Sequence, residues 1–375
     1  MNKIVLIGPV YPYKGGISHY TGLMYRELSR NHDVYMMSYS LQYPKLLFKK
    51  EQRDYSNDSF KIDNTDFCIN TANPASWLHA AHKIKHLCPD LIIIQWWHPY
   101  FSPCYTTLCS VLAKFPKLFV CHNVFPHERF PMDRFLTKTV LSKGSYYIVQ
   151  SSQDEHDLLT INPKAVYRRT VHPTYNAFKM QNISYTESRR LLNRIESDKI
   201  ILFFGFVREY KGLKYLLNAM PQVISTLGNV YLYVVGDFAD DKQSYINIIN
   251  ALDIGANTII CDGYIPDREV EKYFAASDVV VLPYTSATQS GIAQIAYGFE
   301  KPVIATNVGG LPEVVTEGQT GHIVEPCNSD AIAGAIIHFF SEEDHDSFRI
   351  HIRNEAYKYS WARMSEIIDS FLNKQ

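Results

Sequence analysis

Two cations stand three residues apart in the segment Gly205–Gly212, which reads GFVREYKG. Arg208 and Lys211 follow an apolar run typical of a buried strand and precede a stretch with helical periodicity. Ligands of open α/β sheets bind at the carboxyl ends of the strands. A helix N-terminus prefers anions, so a bound anion explains two cations there better than the alternative, a solvated helix start. We expect Arg208 and Lys211 to hold a diphosphate that gains negative charge as it leaves.

Two further loops could offer backbone N–H groups to a phosphate. The first loop of the chain contains the pair Gly15-Gly16 where a helix should open, and glycines let the backbone approach a phosphate closely. A later loop carries Gln289, Ser290 and Gly291 in front of another predicted helix. Both loops also have a purely structural explanation, because glycine pairs form turns and small hydroxyl residues cap helices.

The first half of the chain places a histidine and an aromatic segment after two strand candidates. His122 follows Leu118–Cys121 and could orient a sugar or a hydroxyl nucleophile, or it could simply cap its loop. Trp97 and His98 follow Leu91–Trp96. Aromatic faces stack on sugars, although Trp is equally common in protein cores. We therefore place the acceptor on this side, with Trp97 and His98 as candidates for its binding.

The elements that must position these residues are strands and helices in alternation. Short apolar runs bounded by Gly, Pro or Asp alternate with longer amphipathic stretches, the pattern of parallel sheets covered by helices on both faces. The predicted strands are Ile4–Ile7, Val34–Ser38, Leu91–Trp96, Leu118–Cys121, Tyr146–Gln150, Ile200–Phe204, Val230–Val235, Thr258–Cys261, Val279–Leu282, Val303–Ala305 and His322–Val324.

These strands form two series, which predict an α/β protein with two Rossmann-like, doubly wound domains. A chain of 375 residues is too long for one ordinary domain. The strand pattern is interrupted near residues 172–198. We expect an N-terminal domain over residues 1–178, a C-terminal domain over residues 179–357, and a last helix in residues 358–375 that packs back on the first domain.

Five motifs in this order resemble one known family. The paired-Gly loop, the run Gly205–Gly212, the strand Val279–Leu282, the segment Lys301–Val315 and the helix around Trp361 are similar to those of the retaining, family-4 glycosyltransferases, also described as glycosyl transferases group 1. The resemblance covers nearly the whole chain. It implies the GT-B fold, in which two Rossmann-like domains face each other across a cleft.

The resemblance also implies roles for single residues. Arg208 and Lys211, after Gly205, correspond to the pair that holds the donor diphosphate in that family. The Gly15-Gly16 loop corresponds to the loop that approaches the donor phosphate from the acceptor side. In that family the nucleotide base is held largely by backbone groups of one loop, and the corresponding loop of this chain lies around Ile265.

The chain departs from the family at one signature. Members commonly carry a Glu-x7-Glu pattern, and its two positions fall here on Ala287 and Ile295, neither of which is acidic. The second Glu normally binds the donor ribose, so this contact must be lost or supplied differently. Gln289 and Gln294 are nearby polar candidates. The identity of the sugar and of the nucleotide is left open.

Composition narrows the class of protein. Apolar content of 46%, charged content of 20% and a net charge of −1 are typical of a soluble globular protein and argue against a dedicated nucleic-acid binder. Residues 1–178 hold 20 Lys and Arg against 13 Asp and Glu, whereas the rest holds 17 against 25. This asymmetry either marks two halves with different partners, one of them anionic, or reflects chance surface composition.

The expected location is the cytoplasm. Seven cysteines show no CxxC pair and no metal-like spacing, and the chain enters a strand at Lys3–Gly8, which leaves no room for a signal peptide. No stretch approaches the length of a membrane span. We expect no cofactor and no metal, because no Asp-x-Asp motif is placed to hold one.

A basic and apolar segment could touch a membrane. Residues Tyr43–Lys50 read YPKLLFKK, a composition that suits an anionic membrane surface where a lipid-linked acceptor resides. An ordinary charged surface loop is the alternative. The localisation expected from the sequence is therefore cytoplasmic, with contact at the inner face of the cell membrane left open.

The function expected from these observations is transfer of a sugar from a nucleoside diphosphate sugar to a hydroxyl acceptor, with retention of anomeric configuration. Synthesis of a surface polysaccharide or glycolipid is the expected setting. Two alternatives stay open: another enzyme on the GT-B architecture, such as an epimerase or an inverting transferase, and a non-catalytic protein that binds sugar nucleotides.

Overall fold

Buried apolar strands build two separate parallel sheets, which confirms the predicted α/β class with two Rossmann-like domains. The computed structural model describes residues 1–48, 51–55, 58–126, 129–238, 241–342 and 344–373. It divides into unit 1, comprising Met1–Val171 with Ser360–Gln375, and unit 2, comprising His172–Tyr359.

The division at Val171 precedes the predicted one at residue 178 because the segment after it is bonded within unit 2. The Thr174 amide donates to the Tyr359 carbonyl (2.9 Å), and the Tyr175 amide donates to the Gln294 carbonyl (3.5 Å). The last helix is part of unit 1. There Phe371 stacks on Tyr146 with ring centroids 4.8 Å apart.

The sheet of unit 1 has seven parallel strands in the order β3-β2-β1-β4-β5-β6-β7. Its first strand lies between the second and the fourth, with Ile4 opposite both Val34 and Leu91. The strands are β1 Lys3–Ile7, β2 Asp33–Leu41, β3 Asp66–Asn70, β4 Leu91–Trp96, β5 Lys117–Cys121, β6 Tyr146–Val149 and β7 Tyr167–Arg169.

The sequence prediction missed the two edge strands of this sheet, β3 and β7. Both are short and carry exposed or half-buried polar residues rather than a continuous apolar run. An edge strand has a neighbour on one side only, so it needs less apolar surface than a central strand.

The sheet of unit 2 has six parallel strands in the order β10-β9-β8-β11-β12-β13. All six were predicted from their apolar runs. They are β8 Lys199–Phe204, β9 Val230–Gly236, β10 Thr258–Asp262, β11 Val279–Leu282, β12 Val303–Thr306 and β13 Gly321–Val324.

Helices connect the strands, as parallel pairing requires. They are α1 Gly16–Leu28, α2 Pro74–Leu87, α3 Ser102–Val111, α4 Asp133–Leu141, α5 Ser152–Ile161, α6 Tyr185–Leu191, α7 Leu213–Leu227, α8 Lys242–Ala251, α9 Asp267–Ala276, α10 Gly291–Gly298, α11 Leu311–Val314, α12 Ser329–Glu342, α13 His345–Asn354 and α14 Trp361–Leu372.

Helix starts differ in a way that matters for the site. Helices α2, α5, α6, α13 and α14 each begin behind a Ser, Asn or Asp whose side chain accepts a hydrogen bond from the first turn. Among the described residues, a side-chain capping bond is absent at the starts of α1, α3, α4, α7, α8, α9, α10 and α11. Of these, α7 and α10 begin behind Gly212 and Ser290 in the loops after β8 and β11, where first-turn N–H groups without a side-chain cap suit an anionic ligand.

Candidate functional site

The strand order of unit 2 reverses direction between β8 and β11, which are neighbours in the sheet although three helices and two strands separate them in sequence. Such a switch point opens a crevice at the carboxyl ends of the strands. The loops that follow β8, β11 and β12 leave the sheet at this edge. Together they contain most of the residues predicted to bind the donor.

The first two of these loops are held against each other. A Cβ atom at Gly212 would lie 1.9 Å from the Pro283 carbonyl oxygen, so this close approach requires glycine. The Thr285 amide donates to the Tyr210 carbonyl (2.7 Å). The loop that carries Arg208 and Lys211 is therefore fixed to the loop that leads into α10.

The loop after β12 joins the same junction. A Cβ atom at Gly309 would lie 1.5 Å from the Ala287 carbonyl oxygen, and the Gly310 amide donates to the Thr288 carbonyl (2.9 Å). Thr306 donates its hydroxyl to the Tyr284 carbonyl (2.6 Å). The loops after β8, β11 and β12 are thus bonded to one another, and we call them the loop junction.

Lys211 is a buried charged residue of this loop junction. Its side chain is only 9% exposed, and burial lowers the pKa of its ammonium. The Nζ atom lies 5.3 Å from the centroid of the Tyr284 ring and 3.0 Å from the position that a Cβ on Gly205 would occupy. In the part of the chain that the structure describes, no carboxylate pairs with this ammonium. A buried cation without a counterion favours binding of an anion.

Arg208 and two helix starts complete the positive environment. Arg208 is exposed at the start of the 3-10 turn Glu209–Lys211, and it forms no ion pair with the residues described. Ser290 does not cap α10, and its hydroxyl lies 3.3 Å from the Tyr284 hydroxyl. The arrangement offers one guanidinium group, one ammonium group and backbone N–H groups without a side-chain cap. These groups suit a diphosphate ligand.

The positions of the absent acidic pair are buried and apolar. Ala287 and Ile295 are both buried. One residue before Ile295, the Gln294 side chain is fully buried, and neither its amide oxygen nor its amide nitrogen has a hydrogen-bond partner among the described residues. Gln289 is half-buried in the loop that Gly309 contacts.

Ile265 lies apart from the loop junction. It is half-buried in the connection between β10 and α9, and β10 is two strands away from β8 in the sheet. The structure thus places Ile265 at the same edge of the sheet as Lys211, after a strand two positions away. Its assignment to the base stays a prediction.

Unit 1 has a second switch point, between β1 and β4. The Gly15-Gly16 pair opens α1 there, and a Cβ atom on Gly15 would meet no described atom within 4 Å. Gly15 therefore borders open space where α1 begins without a side-chain cap. This is the geometry that the phosphate hypothesis requires, although no contact tests it.

His122 follows β5 in unit 1 and is mostly buried. Its Nε2 atom lies 2.8 Å from Gln95 Oε1, and its ring meets the edge of Tyr20 at 4.6 Å. Tyr20 in turn accepts a hydrogen bond from Gln150 (2.8 Å) and packs against Trp361 at 4.9 Å. Sequence analysis missed Gln95. Its signal was a single polar residue inside the apolar strand LIIIQW.

Trp97 and His98 lie beside His122, because the His122 amide donates to the carbonyl of Trp96 (2.8 Å). The indole of Trp97 donates to the Tyr43 hydroxyl (3.0 Å). His98 accepts the Tyr100 amide at Nδ1 (3.0 Å) and so caps the 3-10 turn Pro99–Phe101. Both side chains therefore have structural contacts within unit 1, and their role toward an acceptor stays a prediction.

None of the helices formed by the described residues combines the length and the apolar character that a membrane span needs. The same residues include no group of three or more His, Cys, Asp or Glu side chains that could hold a metal ion. Lys49 and Lys50, the end of the predicted membrane segment, lie outside the described residues.

Comparison with known proteins gives the family of one segment. Residues 198–342, which lie within unit 2, match the family model described as glycosyl transferases group 1. The chain is 30% identical over 186 residues to the lipopolysaccharide 1,2-N-acetylglucosaminetransferase of Salmonella typhimurium, a match covering 48% of this chain and 49% of that protein. It is 24% identical over 247 residues to the D-inositol 3-phosphate glycosyltransferase of Corynebacterium diphtheriae, covering 63% and 58% of the two chains. The chain spans about half the length of the curated relatives it matches.

The fold is that of solved structures over their full length. Anabaena HepE, crystallised with UDP-glucose, matches with a TM-score of 0.76 at 16% identity, and the match covers 100% of both chains. At this level of identity the likeness shows the fold alone. The two Rossmann-like units are therefore those of the GT-B glycosyltransferase fold.

Proposed function

We propose that this chain is a glycosyltransferase that transfers a sugar from a nucleoside diphosphate sugar to a hydroxyl acceptor with retention of configuration. One observation carries the proposal. The nearly buried ammonium of Lys211 has no carboxylate partner in the described part of the chain and stands where uncapped helices begin. A donor diphosphate would supply the missing anion.

The proposed chemistry places charge where these groups lie. The bond between the anomeric carbon and the diphosphate oxygen breaks, and the acceptor oxygen bonds to the same face of that carbon. The acceptor proton passes to the departing phosphate oxygen. Arg208, Lys211 and the first N–H groups of α10 stabilise the charge that develops on the diphosphate, so the step needs no metal ion.

In this proposal the residues of unit 1 orient the reacting groups and contact the donor phosphate and the acceptor. His122, held by Gln95, orients the donor sugar or the acceptor hydroxyl. Gly15-Gly16 approaches the donor phosphate, and Trp97 and His98 line the acceptor side. The enzyme is proposed to act in the cytoplasm on an acceptor that can be lipid-linked.

The comparisons support the proposal at a coarse level. The family model covers the segment that contains Lys211 and Gln294, and the Salmonella relative is named for a lipopolysaccharide glycosyl transfer. Anabaena HepE was solved with UDP-glucose. Synthesis of a surface polysaccharide or glycolipid is the setting that fits these relatives.

One observation favours a second candidate function. Ala287 and Ile295 are apolar at the two positions where the family usually has glutamate. A protein that binds sugar nucleotides without transferring them, or one that uses them in an epimerase or inverting reaction, would explain this departure. Transfer in a purified sample would exclude the binder, and the stereochemistry of the product would separate retention from inversion.

The test begins with a panel of nucleoside diphosphate sugars screened by thermal shift, because a ligand of the folded state raises the melting temperature. With the stabilising donor, Arg208→Ala and Lys211→Met should each lower kcat by about 100-fold. Lys214→Met is the matched control, since Lys214 is a more exposed cation of the same helix start.

A second readout separates charge from folding. Burial disfavours the charged form of Lys211, so Lys211→Met should leave the ligand-free melting temperature unchanged or raise it while abolishing the donor-induced shift. Normal turnover in both Arg208→Ala and Lys211→Met would refute the assignment of the diphosphate site.

A further inference from the structure

An exposed basic and apolar surface forms on unit 1 from two segments that are far apart in sequence. We propose that this surface, made of Lys45–Phe48 and of the exposed side chains within Phe130–Lys138, docks on an anionic lipid bilayer. It extends the segment expected from the sequence by a helix that sequence analysis did not consider. We refer to it as the basic–apolar surface.

The first segment exposes large apolar side chains. Leu46 is 88% exposed and Leu47 60% exposed, and Phe48 is also exposed. Tyr43 anchors this loop: it stacks on Phe48 with centroids 6.0 Å apart and lies 5.2 Å from the Tyr100 ring. Tyr43 therefore packs this loop against unit 1, while Leu46 and Leu47 remain exposed.

The second segment comprises the turn before α4 and the first part of α4, and it exposes large apolar side chains beside cations. Met132 is 66% exposed and Phe135 is 63% exposed. Phe135 lies on the helix between the exposed cations Arg134 and Lys138, which are four residues apart and so share one face. The inner face buries Thr137 and Val140 instead.

The turn Pro99–Phe101 joins the two segments. Tyr100 contacts Tyr43 on one side. On the other side His98 stacks on Phe130 with centroids 5.8 Å apart, and Ser102 donates to the Leu136 carbonyl of α4 (3.1 Å). The segments follow β2 and β5, and the turn follows β4. In a parallel sheet these three loops leave the same edge, which places both segments at the same end of unit 1.

The positive charge of the basic–apolar surface indicates which kind of partner it binds. Lys45, Arg134 and Lys138 form no ion pair with any residue that the structure describes, whereas Asp133 is buried and paired with Arg129. Residues 1–171 of unit 1 carry 20 Lys and Arg against 13 Asp and Glu. Exposed apolar side chains flanked by unpaired cations suit the boundary between acidic headgroups and acyl chains. A second copy of this chain is the other occupant considered, and sedimentation without vesicles separates it from a bilayer.

Vesicle binding tests the proposal without any donor or acceptor, so its outcome is separate from that of the proposed function. The intact protein is mixed with vesicles of phosphatidylcholine alone or with about 30% phosphatidylglycerol, and co-sedimentation is measured at low and high salt. Binding should be at least roughly tenfold tighter to the anionic vesicles and should weaken as salt rises.

Three variants sharpen the result. Leu46→Ser with Met132→Ser and Phe135→Ser, and separately Lys45→Gln with Arg134→Gln and Lys138→Gln, should each weaken binding at least about tenfold. The control Leu191→Ser with Ile195→Ser removes exposed apolar side chains from unit 2 and should leave binding unchanged. All these side chains are exposed, so unchanged melting temperatures and an unchanged donor-induced thermal shift should accompany every variant.

Several outcomes would overturn the proposal. These are negligible binding to both kinds of vesicle, equal binding to both, or wild-type binding by both the apolar and the charge variant. Self-association that the apolar variant abolishes, seen by sedimentation in the absence of vesicle binding, would assign the surface to a second copy of the chain instead.

Discussion

At the scale of residues, the site contains a charged side chain whose burial costs free energy in the ligand-free protein. Lys211 loses solvation without gaining a carboxylate among the described residues, and its pKa falls accordingly. Gly309 adopts φ +51 and brings its backbone against Ala287. Glycine adopts this conformation without steric cost. A buried charge without a counterion is typical of sites that a ligand completes.

The junction of the three loops can be tested at Gly309. In Gly309→Ala the new Cβ would lie 1.5 Å from a backbone oxygen, so the loops must separate. We expect a large fall in melting temperature and loss of the donor-induced shift. Gly318→Ala is the control, because Gly318 also has positive φ (+67) but nothing within 4 Å of its Cβ position. It should cost only about 1 kcal/mol of unfolding free energy and leave donor binding intact. Equal behaviour of the two variants would show that the junction is unimportant.

At the scale of elements, the segment that follows Val171 belongs to unit 2. His172 donates from Nδ1 to the Pro173 carbonyl (2.8 Å) and accepts the Tyr175 hydroxyl at Nε2 (3.2 Å), an assignment of the ring proton that satisfies both partners. Tyr175 lies against Gly291, at the start of α10. The connecting segment therefore supports the helix that we propose binds the phosphate.

This segment should make the protein sensitive to acid. Burial lowers the pKa of His172 to about 4 from its ordinary value of 6.5. Between these values the unfolded chain binds a proton that the folded chain excludes, so stability falls as pH drops from 6.5 toward 4. His172→Gln should flatten the pH dependence of the unfolding free energy by up to about 1.4 kcal/mol per pH unit. Urea unfolding across this range measures the effect. The exposed His79→Gln should keep the wild-type slope, and an unchanged slope in His172→Gln would contradict the assignment.

At the scale of the whole molecule, two units with the same fold differ in charge and in chemistry. Unit 2 contains the segment matched by the glycosyltransferase model, and it is acidic overall. Unit 1 is basic and carries the basic–apolar surface. The same doubly wound scaffold thus supports a proposed nucleotide site in one unit and a proposed bilayer contact in the other.

If Arg208, Lys211 and helix N–H groups alone stabilise the leaving diphosphate, transfer should not need a divalent ion. Turnover measured in excess EDTA should equal turnover with Mg²⁺ or Mn²⁺ within about twofold. The control is a transferase of known metal dependence under the same conditions. Complete loss in EDTA that Mg²⁺ or Mn²⁺ restores would place the chain in another mechanistic class.

The sequence alone determined the fold class, eleven of the strands and the loop that carries Arg208 and Lys211. Central strands are buried on both faces, so they must be apolar throughout, and this pattern is visible in a single sequence. The edge strands Asp66–Asn70 and Tyr167–Arg169 lack that constraint and were not predicted.

Only the tertiary structure decided which residues meet. Gly309 and Ala287 lie in contact because β11 and β12 are adjacent, and Gln95 reaches His122 because β4 pairs with β5. Leu46 and Phe135, 89 positions apart in the sequence, share an edge for the same reason. Local periodicity fixes the faces of strands and helices, but the order of strands in the sheet depends on contacts between distant residues. The burial of Lys211 and the basic–apolar surface both depend on that order.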